Sequence, residues 1–420
     1  MKRKTPRKDF KMNENKQTNE LGTGSIPKLF FKLAIPAVVA QVVNLLYNIV
    51  DRIYIGHIPE IGASALTGVG LFASIMMFIT AFSMLAGAGG APLASIALGK
   101  NDKDHAEKIM TNSFLLLLVF AVILTVVIYF LAPTLLTMFG ASEVTLPYAV
   151  DYARIYVLGT VFVLIVTGMN PFVTTQGFAN IAMLTTVIGA AINIVLDPIF
   201  IFALGMGVKG AALATVLSQA VGAIWILRFL TGPKTVLKLR KENMKLDPKI
   251  FGPTLALGIS PFIMVSTESL LSISFTTSLA KYGGDVAVGA MTIITSINML
   301  VTMPLQGFTQ GGQPIMSYNY GAGNVDRVKK AFFMQFGVCV GYAALFWIIC
   351  MMLPNTLAGI FTTDAALAKY ASRAIRIYMA GIFSVGFQLA CQQSFMALGQ
   401  AAISLVMAFL RKLILLIPLI

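Results

Sequence analysis

The chain is short of charge: Asp, Glu, Lys and Arg make up 11% of its 420 residues, while 57% are hydrophobic and the mean hydropathy is +0.83. Soluble domains average about 25% charged residues, so that class is excluded and the chain belongs in a membrane. It has two histidines, His57 and His105, and three cysteines, Cys339, Cys350 and Cys391. None falls in an H-E-x-x-H, CxxC or Cys/His ligand pattern, which excludes a disulfide frame and a zinc site and leaves the cysteines as packing residues. "GPKT" at 232–235 lacks the spacing of a phosphate-binding loop. With no catalytic signature, the expectation is a protein that is not an enzyme and holds no organic cofactor.

The first 28 residues are basic and polar, with no short apolar stretch and cleavage site, so residues 1–28 read as a disordered cytoplasmic tail rather than a signal peptide. The formal net charge of +14 would suggest nucleic acid on a soluble protein. Here the basic residues sit between apolar runs without an aromatic-rich basic face, and the positive-inside rule accounts for them.

What the chain does have is apolar runs of spanning length: 29–56, 62–98, 106–132, 146–171, 179–205, 209–231, 251–281, 285–320, 327–353, 366–398 and 401–420. Runs 62–98 and 285–320 exceed a bilayer's thickness and are expected to project from it or bend at glycines. The tail, "GKNDKDHAEK" from Gly99, the stretch from Arg228 to Lys249 and "GAGNVDRVKK" from Gly321 hold most of the loop charge. A cytoplasmic N-terminus puts all four on one side, in an inner-membrane, multi-pass topology. "AKYASRAIR" from Ala368 falls on the opposite side, against the rule.

The chain repeats. "GGAPLASIALGKND" (89–102) aligns with "GGQPIMSYNYGAGN" (311–324) at an offset of 311 − 89 = 222, and "TQG" ending at Gly177 aligns with "ALG" ending at Gly399. The expected fold is an all-α polytopic membrane protein of two pseudo-symmetric six-helix bundles: an N-lobe over 29–231, a linker over 232–250 and a C-lobe over 251–420. A full second half would end near 231 + 222 = 453, so the end of an eleventh helix and all of a twelfth lack counterparts, and the expectation is a truncated second bundle.

Polar residues in the apolar runs mark candidate sites. Gln41, Asn44, Tyr47, Asn48 and Asp51 recur at three- and four-residue spacing and share one helix face. A carboxylate at the bilayer centre costs about 2.5–3.5 kcal/mol on insertion scales, which makes Asp51 a functional candidate; the alternative is a local pair with Arg52 or His57. Asn193 and Asp197 stand four apart, Asp197 preceding Pro198, with Thr215 and Gln219 on the next helix; the alternative is an Asp-Pro helix end near the outer surface. Two carboxylates with amide and hydroxyl oxygens suit a proton or a monovalent cation such as Na+. The second half has Glu268 but no Asp at the position matching Asp51; Asn298, Gln306 and Gln310 make it polar and uncharged. Glu268 reads equally as a cation or substrate site and as an ion-paired structural residue.

"QGGQPIMSYNYGAGN", "GMGVKGAALATVLSQ" and the Pro36, Tyr47, Asp51 series resemble the multidrug and toxic compound extrusion (MATE) transporters of the MOP superfamily, in the DinF-like and MepA-like branch. The resemblance runs from about residue 28 onward. It implies a monomeric, cation-coupled antiporter of drug-like, often cationic substrates, with no nucleic-acid partner. Carried over, Asp51, Asp197, Asn193, Thr215 and Tyr47 form the H+ or Na+ coupling cluster; Gln41, Asn44, Glu268, Asn298, Gln306 and Gln310 line the substrate cavity; and Pro36 is the bend of the first helix. A lipid-linked oligosaccharide flippase of the same superfamily is the alternative.

Overall fold

A computed structural model describes residues 20–362 and 365–410, without the side chains of 268–277, 279, 280, 283–285, 288, 365 and 408. Among the described residues from Ile26 onward, seven α-helices form the N-lobe: α1 (Ile26–Gly56), α2 (Gly62–Gly99), α3 (Lys103–Met138), α4 (Leu146–Leu158), α5 (Thr160–Thr175), α6 (Ala179–Pro198) and α7 (Val208–Thr231). Six follow the linker: α8 (Pro248–Gly321), α9 (Val325–Met352), α10 (Pro354–Phe361), α11 (Ala365–Tyr378), α12 (Ile382–Ala397) and α13 (Ala401–Phe409). Among the described residues nine helices are long and apolar enough to cross a membrane, or ten if α4 and α5, bent by 59° at Gly159, count as one span. The protein is an all-helical, multi-pass membrane protein.

The repeat is written into the helix boundaries. Ile26 and Pro248, Lys103 and Val325, Thr160 and Ile382, and Ala179 and Ala401 all begin helices, each pair separated by the same 248 − 26 = 222 residues. The left-handed turn residues repeat as well, Asn101 (φ 61°) with Gly323 (φ 74°) and Gly177 (φ 90°) with Gly399 (φ 70°). The expected single helices over 146–171 and 366–398 are instead broken at equivalent glycines, Gly159 and Gly381. At Gly159 the neighbouring helix leaves no room for a side chain: a Cβ there would lie 2.5 Å from Cγ2 of Val216 on α7.

The expected pair of helices at 251–281 and 285–320 belongs to one helical run, α8. A straight helix of that length would extend about 111 Å at 1.5 Å per residue. Yet Thr254 and Tyr318 reach α2 within ten residues of each other, at Gly89 and Gly99, so Pro248–Thr267 and Gly289–Gly321 pack as separate spans.

The lobes meet along α1, α2 and α8 with backbone against backbone. A Cβ on Gly89 would run into the Thr254 carbonyl, one on Gly258 into Leu85, and one on Gly311 into Ala34. Small residues permit this approach, where helices cannot gain from excluding water. The seam lies toward the end of the bundle that carries the linker and the segment before α1, termed here the basic end.

That linker is strapped to the N-lobe. The buried Gln176 Oε1 accepts hydrogen bonds from Thr235 Oγ1 and the amides of Val236 and Leu237, each at 2.8 Å. Glu107, 2% exposed, pairs with Arg240 at 2.9 Å and accepts from the Lys238 amide at 3.2 Å.

Candidate functional site

Asp51 lies on α1, and Asp197 one residue before the end of α6, two helices packed side by side. Both carboxylates are buried, and they lie within hydrogen-bonding reach of each other. Asn193, one turn before Asp197, donates from Nδ2 to Asp197 Oδ1 at 3.3 Å and to Thr215 Oγ1 of α7 at 3.4 Å. Three helices thus converge on one cluster through Asp51, Asn193, Asp197 and Thr215. Asp51 Oδ1, Asp197 Oδ2 and Asn193 Oδ1 have no hydrogen-bond partner among the described residues.

Two carboxylates in contact offer each other no donor. Ionised side by side they repel, and in a water-poor interior the arrangement calls for a shared proton or a cation between them. Three orphaned oxygens provide acceptor capacity, since each would otherwise cost about 1–3 kcal/mol.

Of the local alternatives, no ion pair joins Asp51 to Arg52 or His57 among the described residues; Arg52 is exposed and His57 Nδ1 meets the Ile53 carbonyl at 2.8 Å. The Asp-Pro step does not end the helix near a surface: α6 passes through it into a π turn, Ile199–Ala203, and Asp197 is 0% exposed.

Tyr47 stands within electrostatic range of both carboxylates. It is joined by two residues that sequence reasoning missed. Tyr152 and Tyr156 of α4 are buried and stack at 6.0 Å, and Tyr152 lies near Thr215. Their signal was present in "YAVDYARIY", where Tyr148, Tyr152 and Tyr156 recur every four residues on one face.

The other expected residues are more dispersed. Gln41 and Asn44 are half-buried on α1, and the Asn44 carbonyl accepts from Asn48 Nδ2 at 2.6 Å. On α8, Asn298 is half-buried, while Gln306 and Gln310 are exposed one turn apart; among the described residues no hydrogen bond joins these three to the carboxylate cluster. The helix is continuous through Pro36, which is buried. Glu268 falls outside the residues whose side chains are described. The repeat places Ile273 opposite Asp51 (51 + 222 = 273) and Leu419 opposite Asp197 (197 + 222 = 419), so the pair is confined to the N-lobe in sequence.

A two-lobed bundle of membrane-spanning helices with an enclosed carboxylate pair suits a membrane transporter, and similarity to known proteins places the chain among transporters rather than enzymes. The chain belongs to the MatE family, whose family model matches residues 36–199 and 261–420. It is 24% identical over 387 residues to the multidrug export protein MepA of Staphylococcus haemolyticus (strain JCSC1435), covering 91% of this chain and 84% of that one. To MepA of Staphylococcus aureus (strain N315) it is 25% identical over 396 residues, with the same coverage. Among solved structures it resembles an outward-facing multidrug resistance MATE transporter of the MOP superfamily, with TM-score 0.87 and 26% identity over 94% of this chain and 88% of that one. A MATE structure in complex with MaD3S matches with the same values, as does a MOP superfamily transporter from Pyrococcus furiosus.

Proposed function

We propose that this protein is a secondary active multidrug efflux antiporter in which Asp51 and Asp197 bind a proton or Na+ and exchange it for a lipophilic, often cationic substrate. The observation that carries this reading is the buried carboxylate pair, whose outer oxygens lack donors and whose charge cannot stand alone in a membrane interior. The MepA relatives, named as multidrug export proteins, support the substrate class. Asn193 and Thr215 supply further oxygens to the ion, and the buried Tyr152 lies near Thr215. Coupling requires that ion and substrate each favour a different conformational state; a ligand with equal affinity for both states drives nothing.

The test is dye efflux in inverted vesicles under an imposed pH gradient and, separately, a Na+ gradient. One gradient should drive efflux by the natural chain, and Asp51→Asn and Asp197→Asn should each abolish the driven component. Undiminished gradient-driven efflux in both variants overturns the reading.

A further inference from the structure

At the basic end, a cavity of about 240 Å³ lies between α2 and α3 of the N-lobe and the first turns of α8 from the C-lobe. Its walls are apolar, with Leu93 and Ile96 from α2, Ile109 from α3 and Ile250 from α8; its mouth carries Lys100, Lys249 and His105. Neither lysine has an ion-pair partner among the described residues. The one carboxylate in the lining, Asp102, caps α3 by accepting the His105 amide at 3.0 Å.

The repeat shows what such a place accommodates. Adding 222 to Ile96, Ala97 and His105 gives Tyr318, Asn319 and Arg327, and in the other lobe these three hold the segment before α1. There Leu21 is 1% exposed, its carbonyl accepting from Asn319 Nδ2 at 2.9 Å and Arg327 Nη2 at 3.2 Å. Arg327 also donates to the Gly24 carbonyl at 2.7 Å, and Gly22 lies against the Tyr318 ring. That side is therefore filled by an apolar group whose neighbouring oxygens meet a cation. The equivalent segment before α8 takes another route: the Asp247 amide is held by Asn112 Oδ1 at 2.8 Å and Arg240 by Glu107. Among the described residues the symmetric place is left open.

We propose that this cavity binds an anionic phospholipid, with its phosphate on Lys100, Lys249 and the His105 ring and its glycerol and first acyl carbons against Leu93, Ile96, Ile109 and Ile250. Positive charge above apolar walls matches an anionic amphiphile; a free phosphate would leave the walls wet. The tail over residues 1–19 is itself basic and would be repelled by the lysines. The positive-inside bias sets the basic end at the cytoplasmic interface, where anionic headgroups accumulate and attract Lys and Arg near the surface. Because the walls come from both lobes, an occupant that fits only this arrangement holds the seam closed by mass action. The inference does not depend on the coupling site, and its readout is binding.

The test is native mass spectrometry of the full chain in detergent with phosphatidylglycerol added. The Lys100→Gln/Lys249→Gln pair should cut retained phosphatidylglycerol about tenfold. Ile250→Trp, which fills the cavity and leaves both lysines, should cut it too. Lys329→Gln/Lys330→Gln makes the same charge change at the basic end outside the cavity and should retain it. Equal loss in both lysine pairs, or none in the first, overturns the proposal, as does equal retention of phosphatidylcholine. Displacement by inorganic phosphate would assign the site to a free anion, and increased retention on removing residues 1–19 would assign it to the tail; either result overturns the lipid.

Discussion

Gly99 of α2 and Gly321 of α8 occupy equivalent positions in the repeat, and each lies against the backbone of the other's helix. A Cβ on Gly99 would enter the Tyr318 carbonyl, and one on Gly321 would enter that of Ile96, both far inside 3.0 Å. Since 96 + 222 = 318 and 99 + 222 = 321, the contact is isologous, the same patch meeting itself across a pseudo-two-fold axis.

The seam therefore admits no side chain while it is closed. Gly321→Ala should part the helices at the basic end and raise amide exchange in both 94–100 and 317–323. Gly337→Ala, on a helix with nothing within 4 Å of the new methyl, should leave exchange there unchanged and stabilise α9 by about 0.5–1 kcal/mol. Equal exchange in the two variants would mean that the contact carries no strain.

Gln176 should matter more to the linker than its exposed charges. Gln176→Ala leaves the amides of Val236 and Leu237 without their shared acceptor, at about 1–3 kcal/mol for each that stays buried and unpaired, while the Thr235 hydroxyl keeps the Leu237 carbonyl at 2.8 Å. The expected outcome is a lower Tm and rapid protease cleavage between residues 232 and 247. Lys241→Gln, at an exposed position, should change neither.

Asn193 and Tyr152 separate support of the cluster from the ion-binding charge itself. Asn193→Ala removes the donor shared by Asp197 and Thr215, and Tyr152→Phe removes a hydroxyl while keeping the stacked ring. Each should lower driven efflux by about tenfold, or ~1.4 kcal/mol, without abolishing it. Asp197→Asn should abolish it. Full activity in both supporting variants would place Asn193 and Tyr152 outside the coupling machinery.

The spans, the repeat and the Asp51–Asp197 pairing were legible in the chain because each rests on a strong local cost or a strict period. Apolar length is dictated by lipid, a buried carboxylate stands out against it, and paired Gly and Pro positions betray duplication. The break at Gly159 was not legible, since a lone glycine is tolerated within a helix and the close approach of Val216 comes from far off in sequence. Tyr152 and Tyr156 were passed over because a tyrosine face reads equally as packing until its neighbours are known. Gln176 and Glu107 gave no local cue, as their partners lie 59 to 61 residues away for Gln176 and 131 residues away for the Lys238 contact of Glu107.

The central claim is that the carboxylate pair holds an ion whose binding opposes that of substrate. The most direct measurement is the affinity of the purified chain for a lipophilic cation such as tetraphenylphosphonium, followed across pH and across Na+ concentration. In the natural chain one of the two ions should weaken cation binding, and in Asp51→Asn and Asp197→Asn that dependence should flatten, because linkage between two ligands is reciprocal. An unchanged dependence in both variants would contradict the account.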